Sequence, residues 1–141
     1  MAEFVMKELA RQAGWTGLRV DSAALHTDEL GSDIHPGTRR LLRQHGIPFT
    51  PRKAWLLTPR EAQAYDLLVG MDEANRGDLR RLLPLPLHPR IHLLLDWSPR
   101  PRDIADPWYT DNFEQTYQDV LQGCQSLLEA LHRTPPPESH S

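Results

Sequence analysis

The 141 residues carry a formal charge of −3 at neutral pH, with 39% hydrophobic and 25% charged residues, a pI near 6.1 and a mean hydropathy of −0.56. This is the composition of one ordinary soluble domain, long enough to bury roughly two thirds of the surface that the unfolded chain exposes. It argues against a membrane span and gives no electrostatic reason for a nucleic-acid partner. A single cysteine excludes an internal disulfide. Glu3, Lys7 and Glu8 interrupt the apolar start, so the first residues do not form a signal peptide, and a cytoplasmic setting is expected.

In chain order, Met1, Ala2, Val5, Met6, Leu9, Ala10 and Ala13 line one face of a helix that Gly14 ends. Nothing in the sequence precedes this helix to cap its first amides, and a free ammonium there opposes the macrodipole, so Met1 is read as an internal methionine. Leu18 to Ala23 reads as a short strand, residues 25 to 34 as a polar loop, and Pro36 to His45 as a helix closed by Gly46. Thr58-Pro59-Arg60-Glu61 combines an N-cap, proline at the first helical position and a capping-box glutamate. A strand follows over Tyr65 to Gly70, and Asp72 caps the next helix, which runs to about Leu83.

The proline-rich connector Pro84 to Pro89 leads to a third short strand, Ile91 to Leu95. From Asn112, a stripe of Phe113, Tyr117, Val120, Leu121, Cys124, Leu127, Leu128 and Leu131 predicts a long amphipathic helix, opened by a capping box of Asp111 and Glu114. Residues 1–133 therefore form one domain, and 134–141 a disordered tail. Strands alternating with helices predict an α/β fold with a parallel sheet covered on both faces. Ligands in such folds bind beyond the carboxyl ends of the strands.

Among candidate chemical groups, Asp106-Pro107 sets a carboxyl group on a rigid turn beside Trp108 and Tyr109, where partial desolvation would let it hold a proton near neutral pH. The same dipeptide also simply makes a turn ahead of the last helix, and taken alone the local sequence favours that turn. Cys124 has neither a helix N-terminus nor a nearby cation to activate it and reads as an inert core thiol. His26, Asp28, Glu29, Asp33 and His35 have ligand chemistry but no metal-binding spacing, so neither metal nor cofactor is expected. Asp72 and Glu73 are better explained by helix capping than by acid–base work. Arg39, Arg40 and Arg43, Arg52 with Lys53, and Arg80 with Arg81 read as solvated clusters, with docking of an acidic partner the alternative.

Taken together, Val20-Asp21-Ser22-Ala23, His45-Gly46-Ile47, the run Tyr65 to Asn75 with its Gly-Met-Asp-x-x-Asn, and Asp106-Pro107-Trp108-Tyr109 resemble the low molecular weight protein tyrosine phosphatase family in identity, order and spacing from Met1 to about Leu131. The resemblance implies a three-layer α/β fold with a parallel sheet, here missing its first, central strand. It also implies that a Cys-x5-Arg-Ser-Pro phosphate loop stood just ahead of Met1, so that this chain keeps the general acid but lacks the nucleophile and the phosphate-gripping arginine. Loss of a central strand is expected to leave strand edges uncovered.

By the same resemblance, Asp106 is the general acid and then the general base of a phosphocysteine mechanism, Trp108 and Tyr109 line the substrate mouth, and Ser22 supports the phosphate loop. The substrate is phosphotyrosine on a protein or a small aryl phosphate, with phosphoarginine also open; no nucleic acid and no membrane is involved. Arg52 and Trp55 stand where the family commonly has a His and an Arg, which leaves that rim of the site undefined. The chain as given is therefore expected to be inactive. The alternatives are a non-catalytic interaction module on the same fold or an arsenate reductase relative, the latter disfavoured because resolving thiols are needed and only Cys124 is present.

Overall fold

The computed structural model describes residues 1–15, 17–23, 25, 36–50, 55–104 and 112–133. Five helices are described: α1 (Ala2–Gln12), α2 (Pro36–Gln44), α3 (Pro59–Ala62), α4 (Glu73–Leu82) and α5 (Phe113–Arg133). The two strands are β1 (Leu68–Gly70) and β2 (Ile91–Leu93), and tight 3-10 segments cover Leu85–Arg90 and Leu94–Trp97. The strands pair in parallel, Leu68 beside Ile91 and Gly70 beside Leu93, with α4 as the crossover between them.

Side-chain alternation along these short strands divides the core into two. Leu68 and Ile91 face Leu57, Ala62, Leu79, Leu83 and Leu87 on the α3–α4 side. Leu67 and Val69 pack against the larger cluster, built from Phe4, Val5 and Met6 of α1, Leu41 and Leu42 of α2, Leu94, Leu95 and Ile104, and the inner stripe of α5. The result is three layers, with helices on both faces of the sheet. The α5 stripe is the one its periodicity predicts. Phe4, outside the predicted face of α1, is nonetheless buried and meets Phe49 edge-on at 6.2 Å.

The helix ends follow their local chemistry. Thr58 accepts a hydrogen bond from the Glu61 amide at 3.3 Å, with proline at the first helical position. Gly14 and Gly46, just beyond α1 and α2, take positive φ values of 77° and 67°, which L-residues other than glycine adopt at a cost. At α5, Asn112 accepts the Gln115 amide at 3.0 Å, and the Glu114 carboxylate meets His45 and Gln118. Asp111 itself lies outside the described residues.

The predicted strand over Leu18 to Ala23 joins no ladder among the described residues. A strand needs a hydrogen-bonding neighbour, and no described segment supplies one. The run is held through its side chains, with Leu18 and Val20 packed on the larger core. The strand predicted from Tyr65 begins only at Leu68, and the one predicted through Leu95 ends at Leu93, where the chain tightens into a 3-10 turn that buries Leu94 and Leu95.

This turn meets α5 at Gly123. A methyl group built there would lie 2.6 Å from Leu94 Cγ and 3.2 Å from the Leu94 carbonyl oxygen. Gly123→Ala would gain about 1 kcal/mol of helix propensity but overpack this contact at a cost of about 1–3 kcal/mol. Net destabilisation is expected, read as a lower urea midpoint with an unchanged slope; a raised midpoint would mean that the helix and the turn do not approach this closely.

Candidate active site

The carboxyl end of β1 runs into a closed turn. The Asp72 carboxylate accepts the Asn75 amide at 2.9 Å and so caps α4, while Asn75 Oδ1 returns to accept the Met71 amide, also at 2.9 Å. Gly70 is required by this closure, because a Cβ there would stand 2.7 Å from the Asn75 Cβ. The remaining backbone group of Met71, its carbonyl, accepts the amide of buried Ile104 at 2.9 Å.

Ile104 is the last described residue before Ala105, and Asn112 is the first after Asp111. Both are fixed, the one on Met71 and the other as the cap of α5. Arg102 adds a second anchor. Its guanidinium donates to both oxygens of the buried Asp119 carboxylate on α5, at 2.7 and 3.2 Å, and to the Asp103 carbonyl at 3.1 Å. Asp106, Trp108 and Tyr109 lie outside the described residues, as do His26, Asp28, Glu29, Asp33, His35, Arg52 and the 134–141 tail. Among the described residues no group of three or more His, Cys, Asp or Glu is placed to hold a metal ion.

Ser22 is described. Its hydroxyl donates to Glu3 Oε1 at 2.7 Å, and Lys7 Nζ takes the other oxygen at 2.6 Å. The Glu3 side chain is 3% exposed, so a buried carboxylate in the first turn of α1 ties the 18–23 segment to that helix. A carboxylate at this end also suits the helix dipole. One residue earlier, Asp21 accepts the Tyr65 hydroxyl at 2.6 Å and Arg19 Nε at 2.8 Å. The Tyr65 hydroxyl, with Arg19 beside it, holds the Asp21 carboxyl below its ordinary value against the opposing effect of burial. Sequence spacing gave no signal for either link, since the partners stand far apart in the chain.

Cys124 sits in the α1–α5 seam, 1% exposed, with Sγ 3.8 Å from the Ala2 carbonyl oxygen. Burial pushes its thiol up to about 12, so it carries essentially no thiolate at neutral pH, as its place in the apolar stripe implies.

A parallel α/β sheet whose first described strand ends in a Gly-Met-Asp-x-x-Asn turn, with a second segment anchored on that turn, fits the α/β fold that the sequence resemblance implies. The comparisons agree. A family model described as low molecular weight phosphotyrosine protein phosphatase matches residues 1–136, and the chain belongs to this family of protein tyrosine phosphatases. It is 32% identical over 136 residues to the low molecular weight protein-tyrosine-phosphatase YfkJ of Bacillus subtilis, a match covering 94% of this chain and 87% of that one. It is 31% identical over 132 residues to PtpA of Staphylococcus aureus, covering 93% and 84%. The crystal structure of YfkJ superposes with a TM-score of 0.90 over 95% of this chain and 86% of that chain. That of DARP, a Drosophila arginine phosphatase, superposes with a TM-score of 0.82 at 25% identity, covering 94% and 88%.

Two outcomes are expected from this geometry. Asn75→Ala leaves the Met71 amide unpaired and costs about 1–3 kcal/mol, and hydrogen exchange at Met71 and Ile104 accelerates more than at Leu79; uniform acceleration would deny the turn its local role. Asp21, with its folded pKa depressed, contributes stability that is complete above its unfolded value of about 4 and is lost as pH falls through the folded value. Tyr65→Phe, which removes the largest cause of that depression, therefore lowers stability at neutral pH by at most about 1 kcal/mol in this partly exposed pair. It also flattens the loss below about pH 4, measured as urea midpoints across that range.

Proposed function

We propose that this chain carries the acid–base half of a phosphotyrosine phosphatase and does not turn over substrate by itself. The observation that carries this reading is the state of its one cysteine. The family reaction needs a thiolate near neutral pH, and Cys124 is buried in the core with its thiol pushed up to about 12. The 141 residues contain no Cys-x5-Arg segment.

In the complete reaction, a cysteine thiolate attacks phosphorus in line and the phosphorus–oxygen bond to the leaving group breaks. Asp106 gives its proton to the departing phenolate. Asp106, now ionised, then takes a proton from the water that hydrolyses the phosphocysteine, so one carboxyl group serves both steps. Trp108 and Tyr109 offer aromatic faces to an aryl substrate. Ser22, bonded to the buried Glu3 carboxylate, sets the 18–23 segment against α1, whose first amides are the groups a phosphate would meet. The anchors at Ile104, Arg102 and Asn112 support the reading of Asp106, because they hold both flanks of its segment.

The substrate proposed is phosphotyrosine on a protein or a small aryl phosphate. The likeness to an arginine phosphatase makes phosphoarginine the competitor to include in any assay. A non-catalytic module on the same fold fits the buried cysteine equally well. The two readings part on the nucleotide sequence ahead of the Met1 codon, where an in-frame Cys-x5-Arg segment would exclude the module.

The direct test is incubation of the 141-residue chain with p-nitrophenyl phosphate. No turnover above the uncatalysed rate is expected between about pH 5 and 8, the range where a cysteine–aspartate pair works. Turnover that Asp106→Asn abolishes would overturn the proposal.

A further inference from the structure

The outer face of α2 carries a cluster of arginines. Thr38, Leu41 and Leu42 turn inward, and His45, just past the helix, stacks on Tyr117 with ring centroids 3.9 Å apart and lies 3.1 Å from the Glu114 carboxylate. The opposite side presents exposed Arg40, Arg43 and Gln44, with half-buried Arg39 beside them. Together these four line a shallow, open groove of about 550 Å³.

Five arginines are matched to carboxylates, Arg11 to Glu8, Arg19 to Asp21, Arg76 to Asp96, Arg81 to Asp78 and Arg102 to Asp119. Exposed Arg60, Arg80 and Arg100 form no ion pair among the described residues, but none of them has a second unpaired arginine one helical turn away. Arg40 and Arg43 form no ion pair among the described residues. Arg43 rests its guanidinium over the Phe49 ring, 5.6 Å from the centroid, a contact that orients the plane while leaving its N–H edge available. The arrangement is unfavourable within the helix. Arg39 and Arg43 stand four residues apart and Arg40 and Arg43 three apart, which places like charges side by side. Arg43, in the last turn, suits the negative end of the helix dipole, but α2 has no acidic residue in its first turn to balance its three arginines. In a chain of net charge −3, such a face is not a by-product of overall basicity.

We propose that this face docks an acidic peptide segment of a partner protein. Arg40 and Arg43, one helical turn apart, would each donate paired N–H bonds to a carboxylate. Carboxylates on alternate residues of an extended segment, about 7 Å apart, are within reach of two long, flexible side chains whose Cβ atoms stand about 5–6 Å apart. An acidic protein segment fits better than nucleic acid, because the patch is a few cations wide on an acidic molecule and has no run of basic residues to follow a phosphate backbone. The proposal is independent of whether the chain hydrolyses phosphate esters.

The test uses the full 141-residue chain and fluorescence anisotropy at about 50 mM salt. The probes are a labelled peptide with glutamate at alternating positions, its glutamine counterpart, and single-stranded DNA of equal charge. The glutamate peptide is expected to bind at least about tenfold more tightly than the glutamine one, and Arg40→Glu with Arg43→Glu to weaken it by about tenfold or more. The charge-matched control, Arg60→Glu with Arg80→Glu, should leave binding within about twofold. Arg40→Gln with Arg43→Gln, checked by circular dichroism for unchanged helix content, guards against a folding defect. Equal binding of the two peptides, equal weakening by the control pair, or tighter binding of the DNA would each overturn the proposal.

Discussion

Both backbone groups of Met71 are committed, its N–H to the Asn75 side chain and its carbonyl to the Ile104 amide. Through this one residue the end of β1, the start of α4 and the entry to the Asp106 segment are made a single unit. Backbone groups at the rim of a sheet, left unpaired, cost as much as a lost hydrogen bond. Gly70 admits Asn75, Asn75 closes on Met71, and Met71 receives Ile104. Removing any of these opens the others to water.

The local grammar of the chain was legible without coordinates. The Thr58 cap with Pro59 behind it, the Asp72 cap, the glycines that close α1 and α2 and the α5 stripe each depend on residues within a few positions of one another, and each forms as spaced. In the predicted capping box at Thr58, the Glu61 carboxylate accepts the Thr58 hydroxyl. The strand predicted over Leu18 to Ala23 depends instead on a neighbour that periodicity cannot supply. Its side chains found Glu3 and Tyr65, links across 19 and 44 residues. The acid loop was legible only through its resemblance, since Asp-Pro by itself spells a turn.

The charges of the molecule serve different ends on its two sides. At the start of α1 and around Arg102, carboxylates are buried only with partners in hand: Glu3 with Ser22 and Lys7, and Asp119 with Arg102 and Gln115. Such pairs fix geometry more than they add stability, because the cost of desolvation offsets much of the attraction. On α2, Arg40 and Arg43 stay at the surface, where their repulsion is tolerable.

Cys124 gives the fold a built-in sensor of its own integrity. Its sulfur is covered by the first turn of α1, so a thiol reagent reaches it only when that helix lifts from α5. The rate of modification at a given pH then measures how often the seam opens at this one point, where the two longest helices meet. A thiol that contributes no chemistry thus keeps time for the packing around it.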